Sequence, residues 1–409
     1  MSPHAMNLLA SPKRFAVVRK PTSSIATAIM VAAAACMSPN VMADQASDVY
    51  GIATNTFSPY TFGPALNRSM MLLYGTVDVA VNYTNFGGKP IVRVQSGNAW
   101  TTKFGIYGQE DLGQGWLAIF RLESGFNSNN GGLQDSTMLF NRAATIGLES
   151  AQYGKFSIGR GYGATGTSSL AVDPFYANAH EAVFAYMATA SDLGYGANVN
   201  SINRINNVIN YYTPRLGGVR AGFSYAFKGD ATVGPRSSLR AMSLVYDHHG
   251  TSLALSYGQS WCDPAVSGNC NKDTKWQPSV RTDVFIASAQ QDVGPVLVQG
   301  AFMQIVPRVA GEGIANVYTL GIQRFAQQTM YRAALVYRAT TIARDYAYGM
   351  TLGADYYLSK RSALYARVGV VKNGPASNIT YNYDSTAGGA LTAYGHSVVS
   401  TSVGISHTF

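Results

Sequence analysis

Charge is scarce in this chain: 12% of its 409 residues are Asp, Glu, Lys or Arg, about half the globular norm. A soluble enzyme with charged helical surfaces is excluded by that figure, and so is a disordered chain, which would be rich in charge and poor in aromatics. Cysteine is equally sparse, three in all, and no further Cys or His stands at ligand spacing, so no metal site is expected. Beyond the first 43 residues no apolar run reaches the roughly 20 residues of a membrane helix. Motifs of chemistry are missing as well. His180, His396 and His407 are scattered, His248 and His249 share a predicted tight turn, and lipase and zincin signatures are absent, so a surface setting is expected for each lone histidine. No dense Lys/Arg cluster with interleaved aromatics appears, which speaks against a nucleic-acid partner. One formal G-x-G-x-x-G occurs, at Gly161, Gly163 and Gly166, but Pro174 arrives before a long helix could form. The stretch reads as a glycine-rich exit from a strand, and no cofactor is expected.

What the chain does contain begins with an export signal. Lys13, Arg14, Arg19 and Lys20 form a basic region, Ser24 to Cys36 is an uncharged core, and Val41–Met42–Ala43 places small residues before a cleavage point at Asp44. Lipoprotein processing at Cys36 is the alternative, weakened by the missing leucine. Residues 1–43 are therefore read as a signal peptide, and 44–70 as an N-terminal extension of unassigned role. Cleavage lowers the net charge from +9 to +5, with 26 basic residues against 21 acidic. In an oxidising compartment the two cysteines that remain, Cys262 and Cys270, read as a disulfide clasping one loop.

Alternation dominates the rest. In "LLYGTVDVAVNY" Leu73, Gly75, Val77, Val79, Val81 and Tyr83 alternate with Tyr74, Thr76, Asp78 and Asn82, which gives a strand one apolar and one wet face. The same split recurs around Leu253, Met350 and Leu364, with glycine tolerated on the wet side. Arg121, Glu123, Arg332, Arg338 and Arg367 share the wet side too, which suits a water-filled barrel better than the dry interior of a sandwich. Seven short turns, from Asp111–Gly115 to Leu358–Ser362, alternate with eight long connections, near 84–98, 127–137, 162–203, 228–238, 261–279, 306–314, 340–345 and 373–397. Together they join sixteen strands of an all-β, antiparallel transmembrane barrel over residues 71–409. Closure requires the last strand, "SVVSTSVGISHTF", to pair with the first.

The strand "LYGTVDVAVNY", the pair "NRAATIGLES" and "GKFSIGRGYG", the stretch "RINNVINYYTPRLGGVRAGFSYAF", then "YYLSKRSALYARVG" and the terminal "VGISHTF" resemble, in that order, the general porins of Gram-negative outer membranes, the beta-proteobacterial type above all. That resemblance implies three associated barrels, each with its third long connection folded inward to narrow a pore. It implies basic wall residues at Lys103, Arg142 and Arg204, loop acids at Asp173 and Glu181, and a terminal Phe409 read by the barrel-assembly machinery. The loop pattern departs from the family's around "DPFYANAHE". The implied function is passive diffusion of ions and small hydrophilic solutes through the outer membrane, with a mild preference for anions. A substrate-specific channel is the nearest alternative, with an outer-membrane barrel enzyme or adhesin behind it.

Overall fold

Two-residue alternation leaves each strand with one face for lipid and one for the interior, and the chain resolves this by closing a single antiparallel sheet on itself. The computed structural model describes residues 69–88, 90–169, 173–177, 180–184, 187, 204–227, 237–262, 280–308, 313–381 and 393–409. The signal region, most of the 44–70 extension and Cys270 lie outside the described residues, as does the side chain of Cys262, and with it the expected disulfide. The strands are β1 (Met70–Asn85), β2 (Pro90–Ser96), β3 (Lys103–Gly113), β4 (Trp116–Gly125), β5 (Ala143–Ser150), β6 (Gly154–Tyr162), β7 (Arg204–Tyr212), β8 (Val219–Ala226) and β9 (Ser237–His248). They continue as β10 (Thr251–Cys262), β11 (Val280–Val293), β12 (Val296–Pro307), β13 (Ala315–Ala326), β14 (Thr329–Thr340), β15 (Tyr346–Tyr357), β16 (Ser362–Asn373) and β17 (Ser397–Thr408). A six-residue helix, α1 (Ala164–Ser169), follows β6, so the glycine-rich stretch is the strand exit that its context predicts.

Closure occurs where the alternation requires it. β17 pairs antiparallel with β1 from Thr76↔Thr408 to Asn85↔Val399, and Phe409 extends the ladder by exchanging two backbone bonds of 3.0 Å with Gly75. The 17 segments form 16 staves, because β2 and β3 pair with the same edge of β1 and are two halves of one stave. The expected long connection at 84–98 is corrected by this arrangement. Gly87 and Gly88, with φ of 80° and 108°, turn the chain after β1, and the alternating Pro90–Ser96 rejoins the sheet as β2. The other long connections fall within a few residues of expectation.

Side-chain parity follows the sequence. On β1 the inward Tyr74, Thr76, Asp78, Asn82 and Thr84 are buried, whereas the outward Leu73, Val77, Val81 and Tyr83 are 36–63% exposed, as a lipid-facing row must be. Near the long-connection end an aromatic row crosses the outer face from Phe285 through Phe302, Tyr318 and Tyr337 to Tyr348, with neighbouring centroids 4.9–6.4 Å apart. At the turn end Trp116 stacks on Tyr153 at 5.3 Å. Such bands mark the two membrane–water interfaces. Among the described residues no helix is long and apolar enough to cross a membrane; the strands do the crossing.

One stretch of wall departs from the wet-inside rule. The inward Val284, Ile286, Met303, Ile305, Val317 and Val336 of β11–β14 are apolar and buried, in one cluster with Val183, Phe184 and Met187 of the connection between β6 and β7. Aliphatic wall residues are tolerated there because that connection covers them.

Candidate functional site

The site is assembled by an interruption in the second stave. Between β2 and β3 the six residues 97–102 leave the ladder, and Asp78 of β1 holds both ends of the excursion. Its carbonyl accepts from Gly97 N–H (3.0 Å) and from the Thr102 hydroxyl (2.9 Å). The Asp78 carboxylate accepts from Ala99 N–H at 3.2 Å and from the Tyr365 hydroxyl at 2.9 Å. Asn98 and Trp100 are thereby presented to the chain segment 173–187.

That segment is bound to the wall along its described length. In the turn Asp173–Ala177 the Asp173 carboxylate accepts from the N–H groups of Phe175 (2.9 Å) and Ala177 (3.2 Å). Tyr176 and Ala177 adopt left-handed φ of 55° and 51°, a conformation that costs a non-glycine residue about 1 kcal/mol or more and persists only where the surroundings impose it. The imposing contacts fall on Tyr176. Its ring stacks on Trp100 at 5.3 Å, the Arg332 guanidinium lies 5.1 Å from the ring centroid, and its hydroxyl donates to Gln323 at 3.0 Å. Arg332 of β14 also donates to the Pro174 carbonyl at 2.7 Å, while Asp355 of β15 receives both Arg332 (2.8 Å) and Arg367 of β16. Farther along, Glu181 accepts from Asn82 (3.2 Å), Asn98 (3.3 Å) and Ser400 (3.0 Å), and its carbonyl accepts from Thr351. Inward glycines receive the segment: a Cβ on Gly321 would occupy the place of Pro174, and one on Gly349 that of Val183.

His180 corrects an expectation. In place of the surface setting read from sequence, it is fully buried, because its N–H donates to the Asn98 carbonyl at 2.6 Å. The ring then fits between Gln95 (3.1 Å), Thr84 (3.5 Å) and Tyr381 (5.2 Å). Burial, reinforced by Arg93, pushes its pKa down to about 3, whereas burial raises Glu181 and raises Asp173 to about 6. A histidine whose folded pKa is depressed stabilises the fold fully above the unfolded value near 6.5 and loses that stability as pH falls toward 3, by about 1.4 kcal/mol per unit. Asp173 and Glu181, with raised values, act in the opposite sense, and do so equally in a His180→Gln variant. Lowering pH from 7 to 4 is therefore expected to loosen the segment more in wild type than in His180→Gln, read as single-channel current fluctuation. Identical pH dependence in the two proteins would overturn this assignment.

A cluster of cations stands on the wall of β3 to β7. Glu123 of β4 lies at its centre, bonded to Arg121 (2.6 Å) and Arg142 (2.8 Å), with Lys103 at 3.9 Å. Tyr74 donates to the same carboxylate at 2.9 Å and accepts from Arg121 at 2.8 Å. Arg204 caps the Tyr162 ring at 4.3 Å and is close enough to act electrostatically on both Glu123 and Lys103. Arg121, Arg142 and Lys103 thus share one carboxylate, while Arg204 caps the Tyr162 ring. The structure brings the three basic residues named from sequence together, and adds Arg121 and Glu123, whose shared parity in "FRLES" was the available signal. The two named acids it does not bring there: Asp173 is spent on its own turn and Glu181 on the wall amides and hydroxyls, both buried.

The sequence and the fold both match known proteins. A sequence model described as Gram-negative porin matches residues 26–376. The chain is 30% identical over 357 residues to outer membrane porin protein 32 of Delftia acidovorans, covering 85% of this chain and 96% of that one. Among solved structures, the anion-selective porin from Comamonas acidovorans superposes with a TM-score of 0.69 at 26% identity, over 84% of this chain and all of that one. The trimer form of OmpT from Vibrio cholerae shares the fold, with a TM-score of 0.60 at 13% identity over 84% of this chain and 100% of that one.

Proposed function

The chain belongs to the Gram-negative porin family and forms a passive channel of the outer membrane, and on that premise we propose that its selectivity lies at the cluster of Lys103, Arg121, Arg142 and Arg204. The observation that carries this reading is that Arg121, Arg142 and Lys103 share the single carboxylate of Glu123, while Arg204 caps the Tyr162 ring. An excess of positive charge on a lumen wall raises the local concentration of anions and lowers that of cations. The segment 173–187 occupies the opposite part of the interior by packing on β13–β17 and β1, and so narrows the passage beside the cluster. In this reading Glu123 is the acid of the constriction, while Asp173 and Glu181 anchor the segment. Ions and small hydrophilic solutes cross by diffusion through that gap, sieved by width and biased toward anions, as the name of the anion-selective relative says of that protein. Porins are channels and not enzymes, and no covalent step is assigned. Three barrels associate, and the terminal Phe409, laddered onto Gly75, is the assembly signal.

The test is conductance of the mature protein in planar bilayers under a KCl gradient, for wild type and for Arg142→Ala with Arg204→Ala. Each cation contributes about 1 kcal/mol to the anion/cation difference in this partly screened setting, so the permeability ratio should fall by about 30-fold. Openings in steps of three would support the trimer. An unchanged reversal potential would remove the cluster from the selectivity mechanism, and silent membranes holding folded barrel would remove the open pore.

A further inference from the structure

We propose that the turn-side mouth of the lumen carries a subsite for aromatic carboxylates, built by Lys155, Tyr212 and Arg220, which rests on the channel reading above and names a solute class for it. Parity places all three residues on the inner wall. Phe156 and Ile158 of β6 and Tyr211 of β7 are exposed outward, so Lys155 and Tyr212 face inward. On β8 Val219, Phe223 and Tyr225 are the exposed outward residues, and Arg220 points inward with the buried Ser224 and Ala226. Register joins them: Lys155 pairs with Tyr212, and Tyr212 pairs with Gly222, which shares the inner face of β8 with Arg220. Each lies within one residue of the turn end of its strand, and all three are half-buried. The selectivity cluster stands farther up the same wall. Arg204 opens β7 where Tyr212 ends it, about 25 Å away along the strand.

Glycine makes the room. A Cβ on Gly222 would strike the Tyr212 ring at 2.7 Å, so the ring lies against β8, and the Arg220 guanidinium stands 5.2 Å from its centroid. Arg220 Nε donates to the Thr213 carbonyl at 3.2 Å, which orients the guanidinium plane, and no carboxylate bonds to it among the described residues. Because Arg220 points inward, its exposed part meets the lumen. Lys155 pairs with Glu149 at 3.4 Å, one carboxylate for an ammonium with three donors, and Arg220 is close enough to act on Lys155 electrostatically. Two cations thus stand beside one acid, over an aromatic floor. A small inorganic anion can use only the charge. An arene carrying a carboxylate in its own plane can use the rest as well: its ring stacks on the guanidinium that already covers Tyr212, and its carboxylate reaches sideways to the Lys155 ammonium. A saturated ring of the same charge meets the two cations but gains no stacking.

The experiment is block of the chloride current through the mature protein in planar bilayers by benzoate, compared with cyclohexanecarboxylate, a monoanion of nearly the same size without an aromatic ring. Half-block of wild type is expected at about fivefold lower benzoate than cyclohexanecarboxylate. Arg220→Lys keeps the charge and loses the planar face, and Tyr212→Leu loses the ring behind it; each should bring the two acids to within about twofold of one another. Both variants leave Arg204 and its Tyr162 ring in place, so any preference contributed at the constriction is common to all three proteins. Equal half-block by the two acids in wild type, or no block by either, overturns the proposal. So does an undiminished preference for benzoate in both variants. The reversal potential in KCl should stay at its wild-type value in Arg220→Lys. A lost benzoate preference at normal reversal potential therefore belongs to this subsite, whereas an unchanged reversal potential in Arg142→Ala with Arg204→Ala tells against the constriction alone.

Discussion

Asp355→Ala is expected to destabilise the barrel by about 3–5 kcal/mol. Asp355 is the shared counter-ion of Arg332 and Arg367, and all three side chains are at most 5% exposed. Removing it leaves two guanidiniums side by side in a space from which water is largely excluded, where the cost of an uncompensated charge is far larger than the loss of a surface pair. The effect should reach the segment 173–177 as well. Arg332 is oriented by Asp355 and holds both the Pro174 carbonyl and the Tyr176 ring, so the left-handed turn loses the contacts that impose it. Thermal unfolding followed by heat-modifiable electrophoretic mobility measures the first consequence, and increased open-channel current noise the second. Asp355→Asn should fall between wild type and alanine, and adding Arg367→Ala to Asp355→Ala should recover part of the loss. A stability within about 1 kcal/mol of wild type would mean that other groups neutralise these arginines.

The second large effect is expected at Glu123, where stability and selectivity should move in opposite directions. Glu123 receives Arg121, Arg142, Lys103 and the Tyr74 hydroxyl. Glu123→Gln keeps an acceptor of nearly the same shape but removes the charge that offsets Arg121, Arg142 and Lys103. The barrel should lose about 2–3 kcal/mol through mutual repulsion and weakened charge-assisted bonds. Anion preference should rise about fivefold, because the wall's excess grows by one positive charge at about 1 kcal/mol for a permeant ion. The measurement is the reversal potential under a KCl gradient, with unfolding recorded on the same preparation. Wild-type selectivity in a folded Glu123→Gln channel would place Glu123 off the ion path and make it a structural counter-ion. Together with Arg142→Ala and Arg204→Ala, which shift the reversal potential the other way, this variant brackets the cluster's contribution from both sides.

Much of the architecture is legible along the chain, because the physics that selects it is local. A residue's face in a strand is set by parity alone, so Leu73, Val77 and Val81 against Thr76, Asp78 and Asn82 assign lipid and lumen before any strand has a partner. Turn residues and their spacing give the strand count, and lipid's intolerance of unpaired backbone demands that β17 return to β1. The first long connection departs from expectation because Gly87–Gly88 lead into an alternating run, whose pairing with β1 only the sheet reveals.

The site behaves differently, since its members are far apart in sequence. Lys103, Arg142 and Arg204 can be named from their motifs, yet what unites them is Glu123, a residue that parity alone marks as merely inward. Nothing local separates Asp173, a turn-capping acid, from an acid facing ions, and nothing local tells that His180 is buried beneath Tyr381. Nor does an inward Val284 or Met303 announce the segment that covers it. The sequence by itself determined the barrel, its strand count and the polarity of each face, because alternation and turn chemistry act over a few residues. The tertiary structure decided which charges meet, which acids are consumed in anchoring and where the interior is dry, because burial and Coulomb interaction depend on distances that closure of the sheet alone sets.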